Sequence, residues 1–452
     1  MLNHRGRRGH RDQDRQDRQG GKGPRDRQLP CRRRWFDRRA PWCAGWLFAA
    51  GWAAAFPLVS GLGPHRSWGT IAATGYLAAA VAVLTLPWRR ACSWSVAVAL
   101  VGALAAPLLW LVLTGQGQSE VAVIERSGEL LLRHGTPYLA EPRTVPEYTP
   151  YLPGMALFGL PRAVLGAREW PARLLGDARL WCAAVFLGCL LAARRPHRTG
   201  LAALTASPLV ALPLCVSGVD LPMTGLCCLA LALAARGRPG AAGAALAAAC
   251  ALKWTAWPAV AVVAALLAAT AGRRAALRGT AVAVAGTAVL VLPGALRSPG
   301  PMFHQVFAFP TGRGTLPTPA GSPLPGRLLA DLGPAGWYAA VALLLLGGLA
   351  VTASLALRPP RDVVGAADRL ALGLCLAFLL APAGRFGYLA LPLVLALWAR
   401  LRPHPGPGAS PRADARTDPR PDPRTDPRTA TRSTTPRTDP RTEVAPTPWP
   451  AH

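Results

Sequence analysis

The chain has 452 residues, of which 51% are apolar and only 16% charged, and its mean hydropathy is +0.25. It also holds charge-free runs of about 20 residues, the length that crosses a bilayer core, so the soluble globular classes are excluded. The formal net charge of +28 does not make it a nucleic-acid binder, because the basic residues are scattered between apolar runs instead of pooled on one polar face. Lysine occurs only at Lys22 and Lys253; arginine supplies the rest of the positive charge.

Residues 1–41 carry 14 Lys and Arg against 5 Asp with little apolar content, and read as a disordered basic tail. The first apolar run follows about 40 polar residues, too late for a signal peptide, and is expected to stay as an anchor. Residues 42–401 then form the membrane domain. Its candidate spans are 42–62, 68–88, 92–114, 177–193, 199–216, 219–235, 239–252, 255–271, 278–293, 335–357, 366–383 and 386–400. Several are short and rich in Ala and Gly, which suits close helix packing. The stretch 151–165, broken by Pro153 and Pro161, reads as a re-entrant or interfacial segment in the first large loop. The expected fold is therefore all-α and polytopic, with 10 to 12 transmembrane helices in this layout. Residues 402–452 repeat Arg-Thr-Asp-Pro-Arg, at Arg416–Arg420 and again at Arg424–Arg428. Their prolines forbid a helix, so this is a second disordered tail.

Arginine placement orients the spans. The N-terminal tail, Arg89-Arg90, Arg194-Arg195, Arg236 and Arg238, Arg273-Arg274, Arg358 and Arg361, and Arg400 and Arg402 are all expected on the cytoplasmic side, with both termini. An even number of crossings then separates each neighbouring pair. The segments 115–176 and 294–334, with the turns at Asp220, Lys253 and Arg385, fall outside. Ten cysteines show no C-x-x-C and no metal spacing, and most lie inside apolar runs. Neither a disulfide framework nor a metal site is expected.

Several residues on that outer side can carry chemistry. Glu120 begins the first large loop, where a partly desolvated carboxylate near cations can serve as a general base. Glu125 and Glu129, four residues apart, share a helical face that equally suits a solvated amphipathic helix, and Arg126 lies beside them. The run Glu147-Tyr148-Thr149-Pro150-Tyr151-Leu152-Pro153 is extended and rigid. Its tyrosines offer faces to a sugar ring or a lipid, or else form an interfacial belt. Lys253, between Leu252 and Trp254, is costly in an apolar setting unless it meets an anion or snorkels to water. Asp220 can pair with Lys253 or Arg385, or bind a substrate hydroxyl. Arg385, in Gly384-Arg385-Phe386-Gly387-Tyr388, can clamp a phosphate or anchor the last span. No phosphate loop or dinucleotide fingerprint is present.

Together these segments resemble the multi-pass glycosyltransferases of the C-type superfamily, closest to family 87 of bacterial mannosyltransferase-like proteins, over about residues 92–400. The resemblance rests on Glu120 ahead of Gly135-Thr136-Pro137-Tyr138, on Tyr148-Thr149-Pro150-Tyr151-Leu152-Pro153, on Arg236-Gly237-Arg238 leading to Ala251-Leu252-Lys253-Trp254, and on Arg385-Phe386-Gly387-Tyr388. Two departures stand out: the family's leading acid is usually aspartate, and its Tyr-Pro-Pro core is broken here by Thr149 and Tyr151. The resemblance implies an inverting transfer of a hexose, expected to be mannose, from a polyprenyl-phosphate-linked donor to an extracytoplasmic glycan or glycolipid acceptor at the plasma membrane. It implies Glu120 as base with Glu125 in reserve. Substrate would be held by Arg126, Tyr138, Tyr148, Tyr151, Asp220, Lys253, Trp254, Arg385 and Tyr388. Membrane lipids are the remaining partners, and no metal, cofactor or nucleic acid is implied. A transporter or flippase of a lipid-linked saccharide is the alternative.

Overall fold

The computed structural model describes residues 29–193 and 198–401, with side chains from residue 39 onward. Residues 1–28 of the expected N-terminal tail, the whole tail at 402–452, and Arg194-Arg195 lie outside the described residues. In chain order the helices are α1 (Leu29–Val59), α2 (Gly63–Thr85), α3 (Trp88–Leu100) continuing through a π turn into α4 (Ala106–Leu113), and α5 (Ser119–His134). After a 3-10 stretch at Pro153–Gly159 come α6 (Leu160–Leu165), α7 (Trp170–Gly176), α8 (Ala178–Ala193), α9 (Arg198–Ala206), α10 (Pro208–Val216), α11 (Leu221–Ala235) and α12 (Pro239–Leu252). The last are α13 (Pro258–Ala271), α14 (Arg273–Arg297), α15 (Pro299–Phe303), α16 (Pro325–Ala330), α17 (Pro334–Leu357), α18 (Val363–Leu380) and α19 (Ala390–Arg400). The only pairing of extended backbone among the described residues is one isolated parallel bridge between Gly321 and Gly384.

This is an all-α polytopic membrane protein. Among the described residues, seven helical segments are long and apolar enough to cross a bilayer, and nine if the bent pairs α7–α8 and α9–α10 each count as one. Three shorter apolar helices, Leu221–Ala235, Pro239–Leu252 and Phe386–Arg400, occupy the remaining positions of the twelve-span layout. One boundary moves. Helix α1 starts at Leu29, so residues 29–41, expected in the basic tail, are helical, and the apolar span within it begins at Arg39. Arg39 is buried there because its Nη1 donates to the carbonyl oxygens of Val83 (2.8 Å) and Leu84 (3.0 Å), left open where α2 ends.

Small residues set the packing, as expected for helices that must approach closely within lipid. Gly75 of α2 lies against Gly102, where an added Cβ would sit 2.5 Å from backbone. Gly243 of α12 lies against the Gly279 carbonyl of α14, with 2.4 Å left for a Cβ. Two apolar cores result. One is built from α1 to α4 with α9 and α10, and is fixed by Trp68 Nε1 donating to the Ala103 carbonyl (3.0 Å) and Tyr76 Oη to the Ala206 carbonyl (2.6 Å). The larger joins α5, α8, α11 to α13, α18 and α19. The re-entrant or interfacial stretch expected at 151–165 is the 3-10 segment running into α6. It lies between α5 and α12, with Gly159 against the Ile124 carbonyl and Gly154 against the Ala251 carbonyl.

Candidate functional site

The groups singled out in the sequence come from four chain segments that meet at one end of the larger core. The first is the entrance to α5. Gln118 N donates to the Val216 carbonyl at 2.8 Å, and the Gln116 carbonyl accepts from Arg179 Nη1 at 2.9 Å, so the approach to the helix is tied down on both sides. Glu120 then falls in the first turn of α5, where unpaired backbone N–H groups favour a negative charge.

The second and third segments bring Asp220 and Lys253. Asp220 is the residue before α11, and its backbone carbonyl accepts from Thr224 Oγ1 at 2.8 Å, which fixes the start of the helix. Lys253 sits in an extended break (φ −155°, ψ 134°) between α12 and the 3-10 turn Trp254–Ala256. There its Nζ donates to Asp220 Oδ1 at 2.8 Å. The cost of holding an ammonium at the end of an apolar helix is thus offset by a carboxylate and by two aromatic faces. Nζ lies 4.7 Å from the Tyr388 ring centroid and 5.8 Å from that of Tyr151. Tyr151 arrives there because Leu152 N donates to the Leu252 carbonyl at 3.1 Å, pinning the Tyr-Thr-Pro-Tyr run to the end of α12. Tyr138 Oη donates to the Tyr151 carbonyl at 2.9 Å and fixes the same strand of chain from behind.

The fourth segment is the turn after α18. Gly384 N donates to the Ala320 carbonyl and Ser322 N to the Gly384 carbonyl, each at 3.0 Å. Phe386 N donates to Ser322 Oγ at 3.3 Å. Clipped in this way, the turn presents Arg385, whose Nη1 forms an ion pair with Glu120 Oε1 across 265 residues of sequence. The two ion pairs belong to one electrostatic neighbourhood. Burial pushes the Tyr151 phenol well above its ordinary value; Glu120, Asp220 and Tyr388 push it further, and Arg385 opposes them. Beside Asp220, between α10, α11 and α19, is a cavity of about 40 Å³. That is room for a water molecule or so and not for a sugar ring, so a larger ligand must meet the cluster on its open side or displace its side chains.

Other candidates stand apart from the cluster. Glu125 Oε2 pairs with Arg162 Nε at 3.1 Å and Oε1 accepts from Ala178 N at 3.4 Å. Burial pushes its carboxyl up, against the pull of Arg162. Arg126 ties loop backbone, donating to the Pro146 and Glu147 carbonyls at 2.5 and 2.9 Å. Tyr148 stacks on Phe309 with centroids 4.2 Å apart and its hydroxyl meets Thr315 at 2.8 Å. Trp254 packs with Tyr138, Leu152, Met302 and Val306 in a small apolar cluster. Glu147 caps the 3-10 turn Val145–Glu147, accepting from Arg143 N at 2.6 Å and Thr144 N at 3.3 Å.

One pair escaped the sequence reading. Arg179 and Asp177 are 2% and 3% exposed and joined through three hydrogen bonds, from Nε and the backbone N–H to Oδ1, each at 2.9 Å, and from Nη2 to Oδ2 at 2.8 Å. Arg179 Nη1 also reaches the Gln116 and Cys215 carbonyls, so the guanidinium braces the segment that carries Glu120. The available signal was two charges at the head of an otherwise apolar span. Among the described residues no group of three or more His, Cys, Asp or Glu is placed to hold a metal ion.

The fold and this cluster define a class, an all-α polytopic membrane protein with acid–cation pairs from distant helices gathered at one end. No protein-family model matches the chain, and no curated protein or solved structure matches it.

Proposed function

We propose that the chain is a membrane glycosyltransferase of the C-type superfamily, nearest to family 87, that moves a hexose, mannose for preference, from a polyprenyl-phosphate donor to a glycan or glycolipid acceptor. The observation that carries this reading is the meeting of Glu120 with Arg385 beside the Lys253–Asp220 pair, with Tyr151 and Tyr388 against the ammonium. A sugar phosphodiester needs cations for its leaving phosphate and aromatic faces for its ring; its attacker needs a carboxylate. All three types of group are within one cluster.

In the reaction, the acceptor O–H proton passes to Glu120 as the acceptor oxygen bonds to the anomeric carbon. The bond from that carbon to the phosphate oxygen breaks, and its electron pair leaves with the polyprenyl phosphate, whose added charge Arg385 and Lys253 stabilise. A single base and a single displacement invert the anomeric centre. Glu125, held by Arg162, keeps its carboxylate away from this step. The donor chemistry and the arginine distribution favour a site on the extracytoplasmic face of the plasma membrane, with both termini cytoplasmic.

The test is transfer from radiolabelled polyprenyl-phosphate mannose to candidate acceptors by the full chain in lipid, against Glu120→Gln. Loss of the base should lower transfer by at least ~100-fold. Lipid-linked sugar crossing the membrane without transfer would replace the enzyme with a flippase.

A further inference from the structure

We propose that the Glu120–Arg385 ion pair is a latch that the donor's phosphate opens, so that the donor must bind before Glu120 can act as a base. The inference rests on the transferase reading of this cluster and adds its order of events. In the structure each carboxylate of the cluster is neutralised by a cation: Glu120 by Arg385 and Asp220 by Lys253. Arg385 Nη1 sits on Glu120 Oε1 and Ser119 Oγ lies 3.4 Å from Oε2, so both carboxylate oxygens already have a partner. An acceptor hydroxyl can hand its proton to Oε1 only once Arg385 has been drawn away.

The two cations are unequally placed for that exchange. Lys253 is held from three sides, by Asp220 and by the rings of Tyr151 and Tyr388, and its side chain is 12% exposed. The Arg385 side chain is 30% exposed, and Glu120 is the one side-chain or backbone acceptor it meets among the described residues. Its turn is fixed at the backbone through Gly384 and Phe386 on Ser322, so the guanidinium can swing without the turn moving. An anionic phosphodiester with its lipid tail in the bilayer approaches the more accessible cation, and oxygen pairs on phosphate match the guanidinium fork as well as a carboxylate does.

Charge bookkeeping then closes the cycle. The donor diester carries one negative charge. Transfer places the acceptor's proton on Glu120 and leaves a phosphate monoester able to carry two, which Arg385 holds more tightly than the diester. Once Glu120 has returned its proton to water and the product has left, the carboxylate pairs with Arg385 again and the latch is reset.

The test measures equilibrium binding of a sugar-free polyprenyl phosphate to the full chain in nanodiscs, so no turnover is needed. Glu120→Gln frees Arg385 and should tighten binding about five- to tenfold, while abolishing transfer; a partly exposed ion pair sets that scale. Arg385→Ala should weaken binding by tenfold or more. Glu120→Asp keeps the charge on a shorter arm and should fall between wild type and Glu120→Gln, which guards against a general folding effect. Binding that is unchanged or weaker in Glu120→Gln, with Arg385→Ala still weak, overturns the latch and leaves the phosphate site standing. No binding by any form overturns the site reading and the latch with it.

Discussion

At the scale of single residues, the Lys253–Asp220 pair invites a double-mutant cycle. Each side chain is less than one-third exposed, so removing one leaves a poorly solvated charge. Lys253→Met and Asp220→Asn should each cost about 1–3 kcal/mol of stability, and the double variant distinctly less than their sum. Thermal unfolding in detergent reads this, and strict additivity would mean the two charges do not sense one another. Arg179→Lys is expected to be harsher, ~3 kcal/mol or more, since an ammonium cannot fork onto Asp177 while also meeting the Gln116 and Cys215 carbonyls. These two cases also mark what can be read from the chain. Lys253, Asp220, Arg385 and Glu120 stood out because ionisable groups are rare at the ends of apolar runs, and that rarity is itself physical. Which carboxylate pairs with which cation was left open, because pairing depends on where distant helices end. The Asp177–Arg179 pair carries no comparable sequence signal, because what buries it is the set of backbone carbonyls from Gln116 and Cys215, which only the fold brings there.

Among elements, the contact of α5 with the 3-10 stretch Pro153–Gly159 decides where Tyr151 lies. A Cβ on Gly159 would fall 2.0 Å from the Ile124 carbonyl oxygen, and one on Gly128 2.3 Å from the Gly159 carbonyl carbon. Backbone cannot yield as a side chain can, so Gly159→Ala should force the two apart, costing about 2 kcal/mol or more. The readout is hydrogen exchange, faster at residues 151–159 than in the spans; uniform protection would count against this role. The neighbouring turn is pH-sensitive. The backbone N–H of Arg143 holds the Glu147 carboxyl below its ordinary value; desolvation opposes it, and Thr144 and Arg126 add to the lowering. A lowered folded value means the native state gains from ionisation. That gain is present above the unfolded value near 4.5 and is lost as pH falls through the lower folded value. Protection at 143–148, taken relative to intrinsic amide exchange at each pH, should therefore fall below pH 4.5 in wild type and be low already at neutral pH in Glu147→Gln. The helical face around Glu125 and Glu129 was legible from their spacing, and the structure ends that helix, Ser119–His134, at Gly135 with φ +70°. By contrast, nothing in the composition of 313–325, rich in Gly and Pro, announced its clip to Gly384, because a two-bond backbone bridge leaves no side-chain signature.

For the molecule as a whole, apolar run length carried nearly all of the architecture, since a bilayer imposes one periodicity on every crossing. The short apolar helices α11 and α12 were equally visible because their ends are marked by Asp220, Arg236, Arg238 and Lys253. Run length says nothing about which helices touch, and that is why the two separate cores, and the bends within α7–α8 and α9–α10, emerged only in three dimensions. The layout makes a claim about sidedness that no single element can test. If every long or bent helical segment and every short apolar helix crosses once, then Ser119, Ser217 and Gly387 share one side, and Arg238, Gly272 and Arg361 share the other. Single cysteines at these six positions, in a background whose native thiols have been replaced by serine or alanine, should label with a membrane-impermeant maleimide in two groups. Addition of the reagent from outside intact cells should mark the first group alone. Ser217 labelling with Arg238 would mean that α11 does not cross, and the Asp220–Lys253 pair would then lie at the same face as the arginine turns. The proposed extracytoplasmic site cannot survive that result, because a donor delivered at the outer leaflet would never reach Arg385 and Lys253 together.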